Sequence, residues 1–146
     1  MADTINQGGS LWICTTAQNS DLNTAAFEAL TYVEITRIVT MPSIGITTNM
    51  VQQDYIDTEI SQFQKGVKAG SASELVVGKD TTDAGQDALI AASLTKNNYA
   101  FKRVYTDSPN TVTTTNSTTY FRALVGEAVD QGGAVEDFEN YTFPIQ

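Results

Sequence analysis

Apolar positions in this chain recur mostly with a period of two, the spacing of half-buried strands, and once with the period of a helix. Leu11 to Thr16 reads as a short strand, with Leu11, Ile13 and Thr15 on one side and Trp12 and Cys14 on the other. Apolar groups on both faces predict a strand covered on both sides. Gln18 to Asn23 is a polar turn, and Ala25 to Leu30 is compatible with a helical turn but reads as the approach to the next strand. From Tyr32 to Thr40 the alternation is plain: Val33, Ile35 and Val39 against Tyr32, Glu34, Thr36 and Thr40, with Arg37 as an interruption. Pro42 lacks a backbone donor and Gly45 tolerates unusual dihedrals, so pairing should stop there.

A second strand is expected from Val67 to Val77, with Leu75 and Val77 on one face and Lys68 and Glu74 on the other. One helix follows. Asp80-Thr-Thr-Asp83 supplies capping oxygens, Asp83 and Asp87 suit the positive end of the helix dipole, and Ala88, Leu89 and Ala92 form a narrow stripe ending near Lys96. Strands are expected again at Tyr99–Tyr105 and Thr118–Glu127, flanking a polar tip at 106–117. Gly132-Gly133 marks a turn before a last strand from Ala134 to Phe143, whose mixed polarity suggests a bulge or an edge. Residues 1–9 read as a flexible arm. The expected fold is mainly β, a small sandwich or barrel in a single domain spanning 1–146, with one α-helix packed on it.

The stretch 41–66 breaks this rhythm. Its polar run from Ile46 to Lys65 places about 20 residues between two strands, where compact domains use short connections. Met50, Val51, Tyr55, Ile56, Ile60 and Phe63 are embedded in it among Thr, Asp, Gln and Glu. Such side chains need a surface to cover them, on this subunit or a neighbour. The stretch therefore reads as a long assembly loop, with Met50, Tyr55, Ile56, Ile60 and Phe63 as candidate interface residues.

Composition narrows the function. The 146 residues include 17 acidic and 8 basic side chains, a net charge of −9, which disfavours gripping a polyanion. There is no histidine, so the usual general base and commonest metal ligand are absent. Cys14 is the single cysteine, which excludes an internal disulfide; in a covered strand with no imidazole to activate it, it reads as structural. The acids Asp54, Asp57 and Glu59 do not follow calcium-loop spacing, and Lys65-Gly-Val-Lys-Ala-Gly70 lacks the order of a phosphate-binding loop. Glu136, Asp137 and Glu139 form another acidic cluster, with no aromatic groove to suggest glycoside chemistry. No catalytic, cofactor or metal site is expected. Neither a secretory leader nor a membrane-length apolar run is visible, so synthesis in a cytoplasm is expected.

Several segments carry a resemblance: Leu11-Trp12-Ile13 after a polar arm; Tyr32-Val-Glu-Ile leading through Met41-Pro-Ser-Ile-Gly45; Tyr55-Ile-Asp-Thr58 and Phe63-Gln-Lys-Gly66; the helix with Asp83-Ala-Gly-Gln-Asp-Ala-Leu89; and Phe121-Arg-Ala-Leu-Val125. In this order, over nearly the whole chain, they resemble the major tail tube proteins of long-tailed, siphovirus-type bacteriophages. The resemblance implies a virion protein made in the host cytoplasm. It implies six copies in a ring, rings stacked into a tube, and contacts with tape-measure and tail terminator or tip proteins. Double-stranded DNA would pass through the lumen without specific binding. Glu34, Thr36 and Glu74, opposite the apolar faces of their strands, are then the expected lumen-facing residues. The tube of a contractile injection system is a related reading. A β-sandwich binding module, for receptors or capsid decoration, is the alternative from another class.

Overall fold

The computed structural model describes residues 9–107 and 115–146. The expected arm, except Gly9, and the middle of the polar tip, 108–114, lie outside them. The first sheet contains β1 (Ser10–Ala17), β2 (Tyr32–Ile35), β7 (Asn98–Val104) and β8 (Thr118–Leu124) in the order β2-β1-β7-β8. The second contains β3 (Ile38–Thr40), β6 (Ser73–Gly78), β9 (Val129–Asp130) and β10 (Asn140–Ile145) in the order β3-β6-β10-β9. Alternation places most of the core in both, although Val39, grouped by it with Ile35, stands exposed beyond the break between sheets. Leu11, Ile13, Ile35, Phe101 and Ala123 of the first sheet share one core with Leu75, Val77, Phe143 and Ile145 of the second. Opposed Phe101 and Phe121 stack with ring centroids 5.2 Å apart.

The sheets are joined at two flanks. Beyond β8, Val125 bridges Ile145, and Leu124 and Gln146 exchange backbone hydrogen bonds of 2.8 and 3.1 Å. On the other side the chain passes directly from β2 to β3. The single strand expected from Tyr32 to Thr40 is thus two strands in different sheets. The break falls at Arg37, whose φ of 59° is left-handed and costly for a residue with a Cβ. The strand expected from Val67 to Val77 is also divided, into β5 (Gln62–Gly70) and β6, at Gly70 to Ala72.

Helix α2 (Ala84–Ser93) begins where the capping oxygens are: the Asp83 carboxylate accepts from the backbone N–H groups of Gly85 and Gln86. Its Leu89 and Ala92 enter the shared core. The segment read as an approach to β2 contains a second short helix, α1 (Thr24–Glu28), capped by Asn23, whose Oδ1 accepts from Ala26 N at 2.8 Å. One turn is too short to show a periodic stripe, so the cap is the only sequence signal. Phe27 of α1 stacks on Tyr120, and Cys14 is buried on that side of β1. The last strand is shorter than expected. Residues 134–139 form a turn in which the Asp137 carboxylate accepts from Ala134 N at 2.8 Å, and pairing starts only at Asn140.

Candidate assembly surface

The stretch expected as a loop is a β-ribbon. Strand β4 (Ile46–Gln53) pairs antiparallel with β5 from Ile46↔Gly70 to Gln53↔Gln62. Thr, Val, Ile and Phe suit extended backbone, but both faces are largely polar and exposed, so no one-sided apolar alternation announces the strands. A register shift lies between Thr48 and Met50. Gly66 sits at this irregularity because the backbone approaches closely: a Cβ there would meet Asn49 O and Val51 Cγ2, both at 3.1 Å. The tip is tied locally. Gln52 Nε2 donates to Asp54 Oδ1 and to Ser61 Oγ, each at 3.1 Å; hydrogen bonding to Asp54 itself, from Ser61 first and then from Gln52, holds its carboxyl below the ordinary value.

Opposed residues of an antiparallel pair share a face. One face therefore carries Ile46, Thr48, Met50 and Gln52 with Phe63, Lys65 and Lys68. The other carries Thr47, Val51, Gln53, Gln62, Gln64 and Ala69. The first is apolar and basic; the second has no charge. Ile46, Met50 and Phe63 are 74%, 56% and 59% exposed, and Ile56 at the tip is fully exposed. A two-stranded ribbon is marginal alone in water, and this much exposed apolar surface makes it the candidate for a contact.

All five expected interface residues, Met50, Tyr55, Ile56, Ile60 and Phe63, lie on this ribbon or its tip and are exposed. Ile46 and Val67 belong with them, although the sequence pattern places Ile46 at the start of the polar run and Val67 at the start of the next strand. The expected lumen residues are not brought together. Glu34 is exposed on β2 opposite Trp12, and Glu74 is exposed on β6 opposite Pro144. Their neighbours Ile35 and Leu75 enter the shared core, so the two carboxylates leave it on different sheets. Thr36 lies at the corner, where its N–H donates to Asp83 Oδ2 at 3.1 Å. Sequence reasoning missed Val135 and Phe138, which are 103% and 86% exposed on the turn after β9; a run expected as strand hid them. Among the described residues no three His, Cys, Asp or Glu side chains are grouped to hold a metal ion.

This architecture has solved counterparts. Over 99% of its length the chain is similar to the SPP1 tail tube, determined by solid-state NMR and cryo-electron microscopy, with a TM-score of 0.64 over 75% of that chain and 17% identity. The chain has the tail tube fold. It is also similar, over its full length, to 92% of a chain in the six-fold symmetrised cryo-electron microscopy structure of the anti-feeding prophage (AFP) baseplate, at TM-score 0.63 and 8% identity. No protein-family model matches the sequence, and no curated protein matches it. At such identities the likeness carries the fold, and side-chain roles rest on this chain's own geometry.

Proposed function

We propose that this chain is a structural virion protein that polymerises as stacked hexameric rings into a phage tail tube, the conduit for DNA ejection. The observation that carries the reading is the exposed apolar ribbon, residues 46–70, on a tail tube fold. Such a ribbon gains a covering surface only when copies associate. Tape-measure and tail terminator or tip proteins are the other partners in this reading, and it needs no catalytic step. Double-stranded DNA is a passenger: a chain with net charge −9 offers phosphates little to hold. The baseplate likeness favours a second reading of the same kind, a tube subunit of a contractile particle.

The test is electron microscopy of the purified full chain beside a variant in which a short turn joins Ile46 to Gly70. Ile46 and Gly70 are paired, so the turn closes without disturbing the core. Rings or tubes from the native chain, and a folded monomer from the variant, support the reading. Tubes from the ribbonless variant, or a native chain that stays monomeric at high concentration, would sink it.

A further inference from the structure

The two faces of the ribbon differ in a way that specifies its partner. Lys65 and Lys68 stand on the same face as Ile46, Met50 and Phe63, and neither makes an ion pair among the described residues. A complementary surface exists elsewhere on this chain. The turn between β9 and β10 displays Val135 and Phe138 beside Glu136, Asp137 and Glu139. Its shape is fixed from within: Asp137 N donates to Ala134 O at 3.1 Å, Ala134 N donates back to the Asp137 carboxylate, and Gly133 leaves room for that carboxylate. Phe138 and Glu139 also line a cleft of about 380 Å³ with Arg37, Ile38, Val39, Gly78 and Asn140. Val39 in it is 63% exposed.

The charges are opposite in sign. Lys79 lies 3.4 Å from Asp130 and 3.9 Å from Glu139, so it takes up those two acids. Arg37, the other cation at the cleft, makes no ion pair among the described residues, so the two acids at 136 and 137 also balance its charge. Glu136 and Asp137 are left with no ion pair among the described residues, facing the same want as Lys65 and Lys68.

Resting on the self-assembly reading, we infer that the apolar, basic face of the ribbon docks on the 135–139 turn and its cleft in a second copy of this chain. Met50 and Phe63 cover Val39, Val135 and Phe138, and Lys65 and Lys68 meet Glu136 and Asp137. The stem makes this contact. The tip, with Asp54, Asp57 and Glu59, would be repelled by the acidic turn and reaches past it. Eight residues of β4 extend about 25 Å, enough to leave the parent subunit and cross a neighbour. The uncharged face, with Val51 among Gln53, Gln62 and Gln64, takes no part in this contact.

Charge reversal tests the docking in the full-length chain. Lys65→Glu/Lys68→Glu should raise the concentration needed for assembly about tenfold or more at low salt, read by sedimentation velocity. Adding Glu136→Lys and Asp137→Asn should restore assembly; the asparagine keeps the oxygen that accepts from Ala134 N. Circular dichroism checks that each variant is folded. Independently, oxidising assembled Phe63→Cys/Phe138→Cys protein should give a ladder of linked chains, with the buried Cys14 taking no part. Unchanged assembly of the lysine variant, loss without restoration in the quadruple variant, or no ladder would each overturn the docking while leaving self-assembly standing. A native chain that never associates removes both.

Discussion

Gln86 Nε2 donates to the backbone oxygen of Gly78 at 2.7 Å, from a side chain that is 1% exposed. The same nitrogen reaches Thr36 O at 3.4 Å, and Gln86 Oε1 accepts from Asp80 N at 3.0 Å. One buried amide thus ties α2 to the corner between the two sheets and to the end of β6. Arg37 can keep its left-handed backbone there because both sides of the corner are held.

Gln86→Ala should destabilise the fold by about 3 kcal/mol, since it leaves buried backbone groups without partners. Gln86→Glu is nearly isosteric but cannot donate when ionised, and its carboxylate would face two carbonyl oxygens. Its folded-state pKa should rise. Stability is then retained below the ordinary glutamate range and lost as pH climbs through the raised value. Urea denaturation of both variants at acid and neutral pH checks this; a Glu variant as stable as native at neutral pH contradicts the clamp.

Gly85 faces the same corner from the preceding helical position. A Cβ there would lie 2.1 Å from Glu34 O and 2.7 Å from Ile35 Cα, both backbone atoms. In an open helix Gly→Ala gains about 1 kcal/mol. Here the clash costs about 3 kcal/mol or more, because the helix must move off β2. The net outcome for Gly85→Ala is a fall of about 2 kcal/mol, measured as a lower denaturation midpoint. A gain in stability would show that α2 does not pack this closely.

Tyr32 titrates unusually late. Burial first, then the neighbouring Cys14 and Tyr120, push its phenol from 10.0 up to about 12. Its hydroxyl donates to Phe27 O at 2.8 Å, which needs the neutral form. The raised value favours the fold fully below pH 10 and less as pH rises through 12. Ultraviolet titration should therefore show one tyrosine ionising after the exposed ones, and that late step should vanish in Tyr32→Phe. A Tyr32→Phe profile identical to native would remove the assignment.

Glu34 and Glu74 leave the core on different sheets, so in the proposed tube a wall built from one sheet would take only one of them. Particles carrying Glu34→Lys or Glu74→Lys one at a time separate the two. Lysine on the wall adds a phosphate contact repeated along the tube, so DNA delivery should slow at low salt and recover as salt rises. The other variant should deliver normally. Two variants that both behave as native would mean that neither position lines the conduit.

Alternation of Leu11, Ile13, Ile35, Leu75 and Val77 was enough to place these positions in strands and core, because a half-buried strand must repeat every two residues. The Asp83 cap and the Leu89 stripe placed α2 for a similarly local reason. The missing histidine and the surplus of acids narrowed the chemistry before any fold was known. Tertiary structure alone decided the rest. The turn at Arg37 and the gap before β6 each cut an apparently continuous strand, since a change of sheet depends on what packs against the corner, here Gln86 and Gly85. The ribbon stayed hidden because pattern reading detects burial against the same chain, and both of its faces meet water. Ile46, Val67, Val135 and Phe138 look like core residues in sequence and stand exposed in the fold. Only pairing geometry puts Lys65 and Lys68 on the apolar face, because cross-strand register, not order along the chain, determines which side chains share a side.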